Sequence, residues 1–428
     1  MCMESGHEPK QEMEQMPEQN PEEYSFMQEV IKDEKRDVSV ISKKLGKWAL
    51  AGVVFGAAAC MGFFALKPWA ETVFQKDADQ VEIPKDDDAE KETESEVTEP
   101  VQQELTIDSY RELNRVLTET ASEAKKSVVM VTGIRQDENW TSGQSKASLQ
   151  TSGLIVADNG REVLILTGYS DMKNASLFQV QFIDGTEHEA VMKQKDGNLN
   201  LAVFSVAKSG ITQETWEKIK VAVLGNSNTL VQGRTLLAMG SPFGYEDGFG
   251  VGVASSVEAS VIRADGEFQI VVTDMPATNK GSGFLFDSYG SAIGIIDAGL
   301  MGENGAETLT GIGISAVKSE IELMCNGKNV PYIGVTGTIV TAEMSQVQEI
   351  PEGLYVTEVE VDSPAMKAGI QSGDVITKIG DAGIGSLGDY HKAVLKQEAG
   401  KTITLYGQRR GAENFVDIKF NVTVGIKQ

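Results

Sequence analysis

The residue best suited to chemistry is Ser282, a serine between two glycines in a Lys-Gly-Ser-Gly turn. An apolar run ending in Thr273-Asp274 precedes this turn, and a new apolar strand begins at Phe284. A serine on such a turn can act as a nucleophile, because glycine lets the backbone approach a substrate and present its amide groups. Gly-Ser-Gly is also an ordinary turn sequence, so this stretch alone leaves both interpretations open.

Apolar segments on both sides of the turn predict the elements that would position it. Short strands separated by turns rich in Gly, Asp and Asn are typical of an all-β barrel domain. A helical apolar pattern over 107–126 precedes them. The predicted strands are 127–132, 153–156, 163–167, 177–183, 201–206, 236–240, 250–257, 267–273 and 291–296.

The stretch from Thr273 onward resembles the motif T-D-A-A-I-N-x-G-N-S-G-G-P-L of the HtrA (DegP-like) serine proteases, with Ser282 at the nucleophile position. The resemblance runs from about Ser127 to the C-terminus. It implies a mainly β fold, in which a chymotrypsin-like double β-barrel (106–328) precedes an α+β PDZ domain (329–428). Two further segments are similar to strands of that family: Ser241-Pro-Phe-Gly with Val251-Gly-Val-Ala-Ser, and Gly311-Ile-Gly-Ile-Ser-Ala.

The same resemblance identifies the positions of the other catalytic residues. Serine hydrolysis needs a base to accept the hydroxyl proton and a carboxylate to orient that base. The stretch that matches the family segment I-L-T-N-A-H-V-V has Ser170 at the histidine position. The stretch that matches D-L-A-V-L-K has Asn200 at the aspartate position. The chain has three histidines, His7, His188 and His391, and none of them follows an apolar strand ending in Thr, as the base should. We interpret His188 as a surface residue.

The oxyanion-binding turn also departs from the family pattern. Lys280 replaces a glycine two residues before the serine, and a side chain there disfavours the positive φ that turns the amide inward. Phe284 and Leu285 replace the family's glycine and proline. Lys280 is a poor candidate for a base, because residues two apart on a turn seldom face each other and the lysine would need burial.

The C-terminal region predicts a peptide-binding site. Tyr332-Ile-Gly-Val resembles the carboxylate-binding loop of a PDZ domain, and 362–380 is close to the family segment S-P-A-x-x-A-G-L-x-x-G-D-V-I-x-x-I-N-G. Amides of such a loop can capture a terminal carboxylate while the peptide adds as a strand. Retention of the fold for packing alone is the other interpretation. The predicted binding residues are Tyr332, Ile333, Gly334, Val335, Tyr390 and Val394.

Two functions therefore remain open. The first is a pseudoprotease that binds exposed C-terminal peptides of extracytoplasmic proteins, as a scaffold, a chaperone-like protein or a sensor in envelope protein quality control. The second is an active trypsin-like serine endopeptidase with an atypical site. The substitutions at the histidine and aspartate positions favour the first.

The N-terminal part of the chain predicts a membrane anchor. Residues 48–66 carry no charge and are long enough to span a bilayer as a helix, and lysines precede them. This pattern predicts a cytoplasmic, disordered tail (1–47), an acidic linker (67–105) and extracytoplasmic C-terminal domains. Within the tail, 24–32 is either a transient helix or a docking segment for a cytoplasmic partner.

Composition limits the partners. The formal charge of −25 disfavours a nucleic-acid partner, and the three cysteines suggest no disulfide framework. The sequence predicts no cofactor and no metal site. A single span with a cytoplasmic N-terminus suits a bacterial plasma membrane. The resemblance implies a homotrimer, whereas the small residues Gly52, Gly56 and Cys60 in the span would suit a dimer.

Overall fold

The computed structural model describes residues 78–86, 106–135, 148–173, 175–300 and 308–427, all within the folded unit Asp77–Gln428. The predicted tail, the predicted span 48–66 and most of the predicted acidic linker lie outside the described residues. Among the described residues, no helix is both long enough and apolar enough to cross a bilayer.

A closed six-stranded barrel forms the first half of the folded unit, with strand order β1-β2-β3-β6-β5-β4 and β4 pairing with β1. Burial alternates along β1, as expected for a strand with one face toward the core, whereas β6 is buried along nearly its whole length. Val131, Ile165 and Phe204 fill the barrel interior. The strands are β1 Val128–Ile134, β2 Ser148–Asp158, β3 Glu162–Gly168, β4 Leu177–Gln181, β5 Glu187–Asp196 and β6 Leu201–Ala207.

A second antiparallel sheet follows, with order β13-β12-β11-β7-β8-β10-β9, and it closes on itself because β10 also pairs with β13. Strand β9 extends the barrel as a hairpin with β10, whose turn holds Asp265 at a φ of 62°. A continuous apolar core, including Leu154, Leu166 and Phe284, contains side chains from both barrels. The strands are β7 Thr235–Ser241, β8 Gly248–Ser256, β9 Ser260–Arg263, β10 Gly266–Pro276, β11 Ser282–Asp287, β12 Ala292–Asp297 and β13 Thr308–Gly313.

The helices of the barrel region lie outside the two sheets. Helix α1 (Ile107–Lys125) is capped by the Thr106 side chain and packs on the barrels through Ala121 and Ala124, which confirms the predicted helix. The short helix α2 (Gln213–Trp216) follows the first barrel, and α3 (Lys318–Cys325) leads from the second barrel toward the last domain.

The last domain has the sheet order β14-β15-β16-β18-β19, with β17 on β16 and a bridge between Tyr332 and Gly425. Its own core includes Ile333, Leu354 and Tyr390. The strands are β14 Val335–Val340, β15 Gly353–Val359, β16 Val375–Ile379, β17 Ala382–Gly383, β18 Thr402–Arg410 and β19 Phe415–Thr423. The helices are α4 Ala342–Gln348, α5 Pro364–Lys367 and α6 Leu387–Leu395. The described parts therefore form a mainly β double barrel followed by an α+β domain, as predicted.

The structure differs from the predicted linker over residues 78–86, which pack on the barrels. Ile83 is only 5% exposed, and Asn326 hydrogen-bonds both backbone groups of Val81. The Asp86 carboxylate accepts from the buried Lys318 ammonium at 2.8 Å. The acidic composition concealed these apolar residues, whose burial offsets the cost of ordering the chain.

Candidate functional site

The three predicted catalytic positions line one cavity, of about 290 Å³, between the two barrels. Ser170 begins a short 3₁₀ turn after β3, Asn200 immediately precedes β6, and Ser282 is the first residue of β11. The antiparallel ladders of the two barrels bring these strand ends together, although the residues lie far apart in the chain. The three positions that the family motifs indicate therefore lie together in the structure, and their role stays a prediction.

The Ser282 hydroxyl is engaged with another serine, Ser152 of β2. The Ser152 amide donates to Ser282 Oγ at 3.1 Å, and the two hydroxyl oxygens lie 3.2 Å apart. Ser152 Oγ also accepts from the Ser241 amide at 2.8 Å. Ser282 pairs with Ser241 and Asp297 in the sheet, so it belongs to the strand and not to the preceding turn. A serine hydroxyl is not a base at neutral pH, so this contact does not activate Ser282.

Asn200 and Ser170 do not supply the missing base either. Asn200 has a φ of 59°, and its side-chain oxygen is buried without a hydrogen-bond partner among the described residues. Ser170 is exposed at the rim. Among described residues, no histidine lines the cavity. His188 lies on β5, where its partly buried ring packs on Phe182 with centroids 5.2 Å apart.

In the turn before Ser282, Lys280 has a backbone conformation that residues with a side chain favour. Lys280 is exposed and does not adopt a positive φ. The residue with positive φ is Gly283, at 144°, where an added Cβ would lie 2.2 Å from the carbonyl oxygen of Met239. Lys280 therefore does not have the positive φ that the family resemblance implies for the glycine of an oxyanion-binding turn.

The predicted carboxylate-binding loop already holds a carboxylate, that of Asp265 from the β9–β10 turn. The amides of Ile333 and Gly334 donate to Asp265 Oδ2 at 2.6 and 2.8 Å. The Val335 amide donates to Oδ1 at 3.0 Å, and the Tyr390 hydroxyl donates to the same oxygen at 2.9 Å. These four donors come from the C-terminal domain, whereas the acceptor belongs to the second barrel. The loop is therefore shaped to bind a carboxylate.

The residues predicted to surround a ligand's last side chain are buried. Tyr390 and Val394 of α6 are 0% and 1% exposed and belong to the core of the domain. Tyr332 donates its hydroxyl to Glu360, which also pairs with Lys427 at 2.6 Å. Burial, together with the Glu360 carboxylate, raises the pKa of Tyr332 well above its usual range. The predicted peptide-binding residues thus lie together, and the loop among them surrounds the Asp265 carboxylate.

A cluster of buried charges fixes the backbone of the same turn. His391 of α6 donates from Nδ1 to the carbonyl oxygen of Asp265 at 2.8 Å and from Nε2 to Glu320 at 2.7 Å. Burial opposes a charge on His391, but the adjacent Glu320 carboxylate outweighs it and raises the pKa of His391 to about 9. Burial, with the charge of Glu320, also raises the pKa of Asp196 to about 6. The imidazolium of the C-terminal domain therefore contacts two acidic residues of the barrel region, Asp265 through its carbonyl oxygen and Glu320 through its carboxylate.

Sequence reasoning did not find these interdomain residues. Asp265-Gly266 is an ordinary hairpin-turn pair, and nothing in its local sequence indicates a partner 68 to 125 positions away. His391 and Glu320 lie on helices whose patterns indicate only amphipathic packing. One hint in the sequence was His391, a histidine that belongs neither to the predicted peptide-binding residues nor to the predicted catalytic positions.

Comparisons with known proteins agree with this geometry. The sequence matches two protein-family models, a trypsin-like peptidase domain over residues 151–295 and a PDZ domain over residues 312–420. The first match includes all three positions that line the cavity. The matches show a trypsin-like peptidase domain followed by a PDZ domain, and the chain is similar to HtrA- and DegP-type proteases with this domain order.

Three relatives illustrate the extent of the similarity. The serine protease Do-like HtrA of Lactobacillus helveticus is 27% identical over 311 residues, covering 66% of this chain and 71% of the relative. The Do-like HtrA of Lactococcus lactis is 25% identical over 348 residues, covering 72% and 83%. The periplasmic serine endoprotease DegP of Escherichia coli K12 is 28% identical over 296 residues, covering 66% of this chain and 59% of DegP.

Solved structures of the HtrA-type protease AlgW share the fold. The form with a tripeptide superposes with a TM-score of 0.50 at 21% identity, covering 73% of this chain and 97% of AlgW. The form with a decapeptide has a TM-score of 0.50 at 19% identity, covering 73% and 99%. At these identities the likeness shows the fold alone.

The buried cluster predicts that the closed arrangement weakens as the pH rises. Because the pKa of His391 lies above its ordinary value of 6.5, its stabilising charge is complete below about pH 6.5 and is lost as the pH rises through 9. The raised pKa of Asp196 acts in the same direction at lower pH. The charged groups around His391 are Asp196, Asp265 and Glu320, with Lys195 and Lys427 at the rim.

Urea unfolding of the full chain between pH 6 and 9.5 tests this prediction. We expect the free energy of unfolding to fall by about 1 kcal/mol or more across the range, and His391→Gln to flatten the slope. His188→Gln, a histidine outside the interface, serves as the control and keeps the slope. A free energy of unfolding that stays constant or rises from pH 6.5 to 9 in the unmodified chain would contradict it.

Proposed function

We propose that this protein is a membrane-anchored, HtrA-like pseudoprotease whose PDZ domain binds exposed C-terminal peptides of extracytoplasmic proteins. One observation carries the binding half of the proposal: four donors of the predicted loop converge on a single carboxylate, that of Asp265. A peptide's terminal carboxylate presents the same two oxygens. The amide groups supply the binding energy, so a basic residue is not required.

The cavity that contains Ser282 supports the other half of the proposal, that the protein is not a protease. Its serine contacts a second serine in place of an imidazole, and the positions of the family base and its carboxylate hold Ser170 and Asn200. Loss of such residues typically lowers turnover on the order of 10⁶-fold. The protein would then act by holding chains, as a scaffold, a chaperone-like protein or a sensor in envelope protein quality control.

The anchor and the assembly belong to the same proposal. We propose that 48–66 spans a bacterial plasma membrane once, with 1–47 in the cytoplasm and 24–32 available to a cytoplasmic partner. Similarity to the family favours a homotrimer. Assembly into oligomers would raise the affinity for multivalent clients through avidity.

The first prediction of this proposal concerns catalysis. We expect no casein cleavage by the protein and no labelling of Ser282 by a fluorophosphonate probe, because Ser152, which contacts Ser282, and Ser170 and Asn200, at the family's histidine and aspartate positions, are not bases at neutral pH. Ser282→Ala serves as the matched control and should behave identically. Labelling or cleavage that Ser282→Ala abolishes would establish the active endopeptidase instead. The double change Ser170→His and Asn200→Asp need not restore activity, since Lys280 still disturbs the oxyanion turn.

The second prediction concerns peptide binding. Peptides ending in Val, Leu, Ile or Phe should bind with roughly micromolar dissociation constants, because a short flexible tail loses entropy on ordering. Calorimetry with each peptide and its C-terminal amide measures this. The free acid should bind more tightly, since the amide cannot satisfy the loop donors. Equal affinity of acid and amide would exclude carboxylate capture, and no binding by any peptide would leave the domain a packing role.

The third prediction concerns topology. Protease added outside intact cells should digest the C-terminal domains and spare 1–47, because lysines before an apolar span favour a cytoplasmic N-terminus. Epitope tags at either end, followed by immunoblotting, report the outcome. Digestion of the N-terminal tag with protection of the C-terminal tag would reverse the proposed orientation.

A further inference from the structure

The Asp265 side chain uses every backbone donor that a terminal carboxylate would need. Its carboxylate accepts from the amides of Ile333, Gly334 and Val335 at 2.6 to 3.0 Å, and the residue is only 4% exposed. A second carboxylate cannot approach these amides while Asp265 is in place, because two like charges would share one set of donors. Occupation by Asp265 and by a peptide terminus are therefore mutually exclusive.

The backbone of the turn imitates the end of a bound peptide as well. The Asp265 amide donates to the carbonyl oxygen of Val335 at 2.8 Å, which is the first contact that a strand added to β14 would make. Strand β14 is the terminal strand of its sheet in the described part of the chain. This backbone hydrogen bond of the turn engages Val335, the first residue of that edge. The remaining edge, toward Val340, is left for the residues of a peptide that precede its terminus.

Two further contacts hold the turn in this position, and a third holds the asparagine that makes one of them. His391 binds its carbonyl oxygen, and the Asn198 side chain donates to the Ala264 carbonyl at 2.6 Å. The Lys427 ammonium of the C-terminal domain lies 3.3 Å from the Asn198 side-chain oxygen. The turn is thus fixed through both its carboxylate and its backbone. Displacement of Asp265 would break the four hydrogen bonds that join its carboxylate to the PDZ domain.

We propose that Asp265 is a built-in competitor for the PDZ site, displaced by peptides that combine a free C-terminal carboxylate with upstream residues able to pair with β14. This inference rests on the proposed peptide-binding function and concerns the regulation of that same site. A ligand that offers only a free carboxylate makes the same hydrogen bonds as Asp265 and so has no advantage in binding over it. The ligand must therefore add strand pairing along β14, so short or amidated peptides are excluded.

Asp265→Asn tests the competitor directly. Asparagine has nearly the same size and tolerates a φ of 62°, but its amide group loses the negative charge and presents donors to donors. We expect the affinity for a ten-residue peptide ending in a free Val to rise roughly tenfold or more, since the competent state is no longer depleted. The matching C-terminal amide should remain the weaker ligand in both proteins, because it places no charged carboxylate on the loop amides.

Asp247→Asn is the matched control. Asp247 also has a positive φ, of 58°, and lies exposed in the loop between β7 and β8, away from the PDZ loop. Its substitution should leave peptide affinity unchanged. His391→Gln is a second test, because it loosens the backbone of the turn without touching the carboxylate site. It should raise affinity in the same direction, and it keeps the inference testable if Asp265→Asn does not fold.

Hydrogen exchange of the segment 332–336, without peptide, supplies a readout that does not depend on the proposed function. The full chain in detergent should protect these amides, and Asp265→Asn should expose them. Unchanged exchange, or equal peptide affinity in Asp265→Asn and the unmodified chain, would overturn the inference while leaving peptide binding intact. Increased exchange without binding of any peptide would instead overturn the proposed function, and the competitor role with it.

Discussion

A buried carboxylate is stable only if hydrogen-bond donors replace its lost hydration, and Asp265 obtains its donors across a domain boundary. Three amides and one tyrosine hydroxyl surround it, all from the C-terminal domain. Burial raises the pKa of Asp265, while the amides and Tyr390 oppose that rise. If the Asp265 carboxylate and its donors separated within a closed interface, each would lack a hydrogen-bond partner. For the carboxylate charge the cost would be several kcal/mol. This requirement fixes the orientation of the PDZ domain on the barrels.

The charges around the turn make the interface specific to one arrangement. His391 stands between Asp265 and Glu320, so a shift of the domain would break both hydrogen bonds of the imidazolium together. The segment 196–200 then links this interface to the cavity between the barrels. Its first residues face the buried cluster, whereas Asn200 lines the cavity. Lys427 of the PDZ domain, through its contact with Asn198, thus reaches a segment that also lines the cavity of Ser282.

Sequence patterns predicted the parts of the fold that depend on local rules. Alternating apolar residues located most barrel strands, and the family motifs located Ser170, Asn200 and Ser282, which the structure brings to one cavity. The conformation of the PDZ loop could not be predicted, because the partner of its amides is a single aspartate in an ordinary turn. The packing of 78–86 was missed for a related reason: a few apolar residues within an acidic stretch gain their stability from distant partners such as Asn326. Contacts of this kind depend on tertiary geometry, not on periodicity.

The Gly-Ser-Gly sequence around Ser282 has structural roles that do not require catalysis. Gly283 is required by the barrel, because a side chain there would collide with the backbone of β7 at Met239. The Ser282 hydroxyl accepts from the Ser152 amide in the interior between the barrels, where an unpaired amide would cost about 1–3 kcal/mol. Both residues thus satisfy packing and hydrogen-bonding needs that exist without catalysis. Lys280, one of the positions at which the chain departs from the family motif, carries no such constraint, since it is exposed on the turn. The motif in this chain is evidence for the barrel, and activity depends on the groups that surround it.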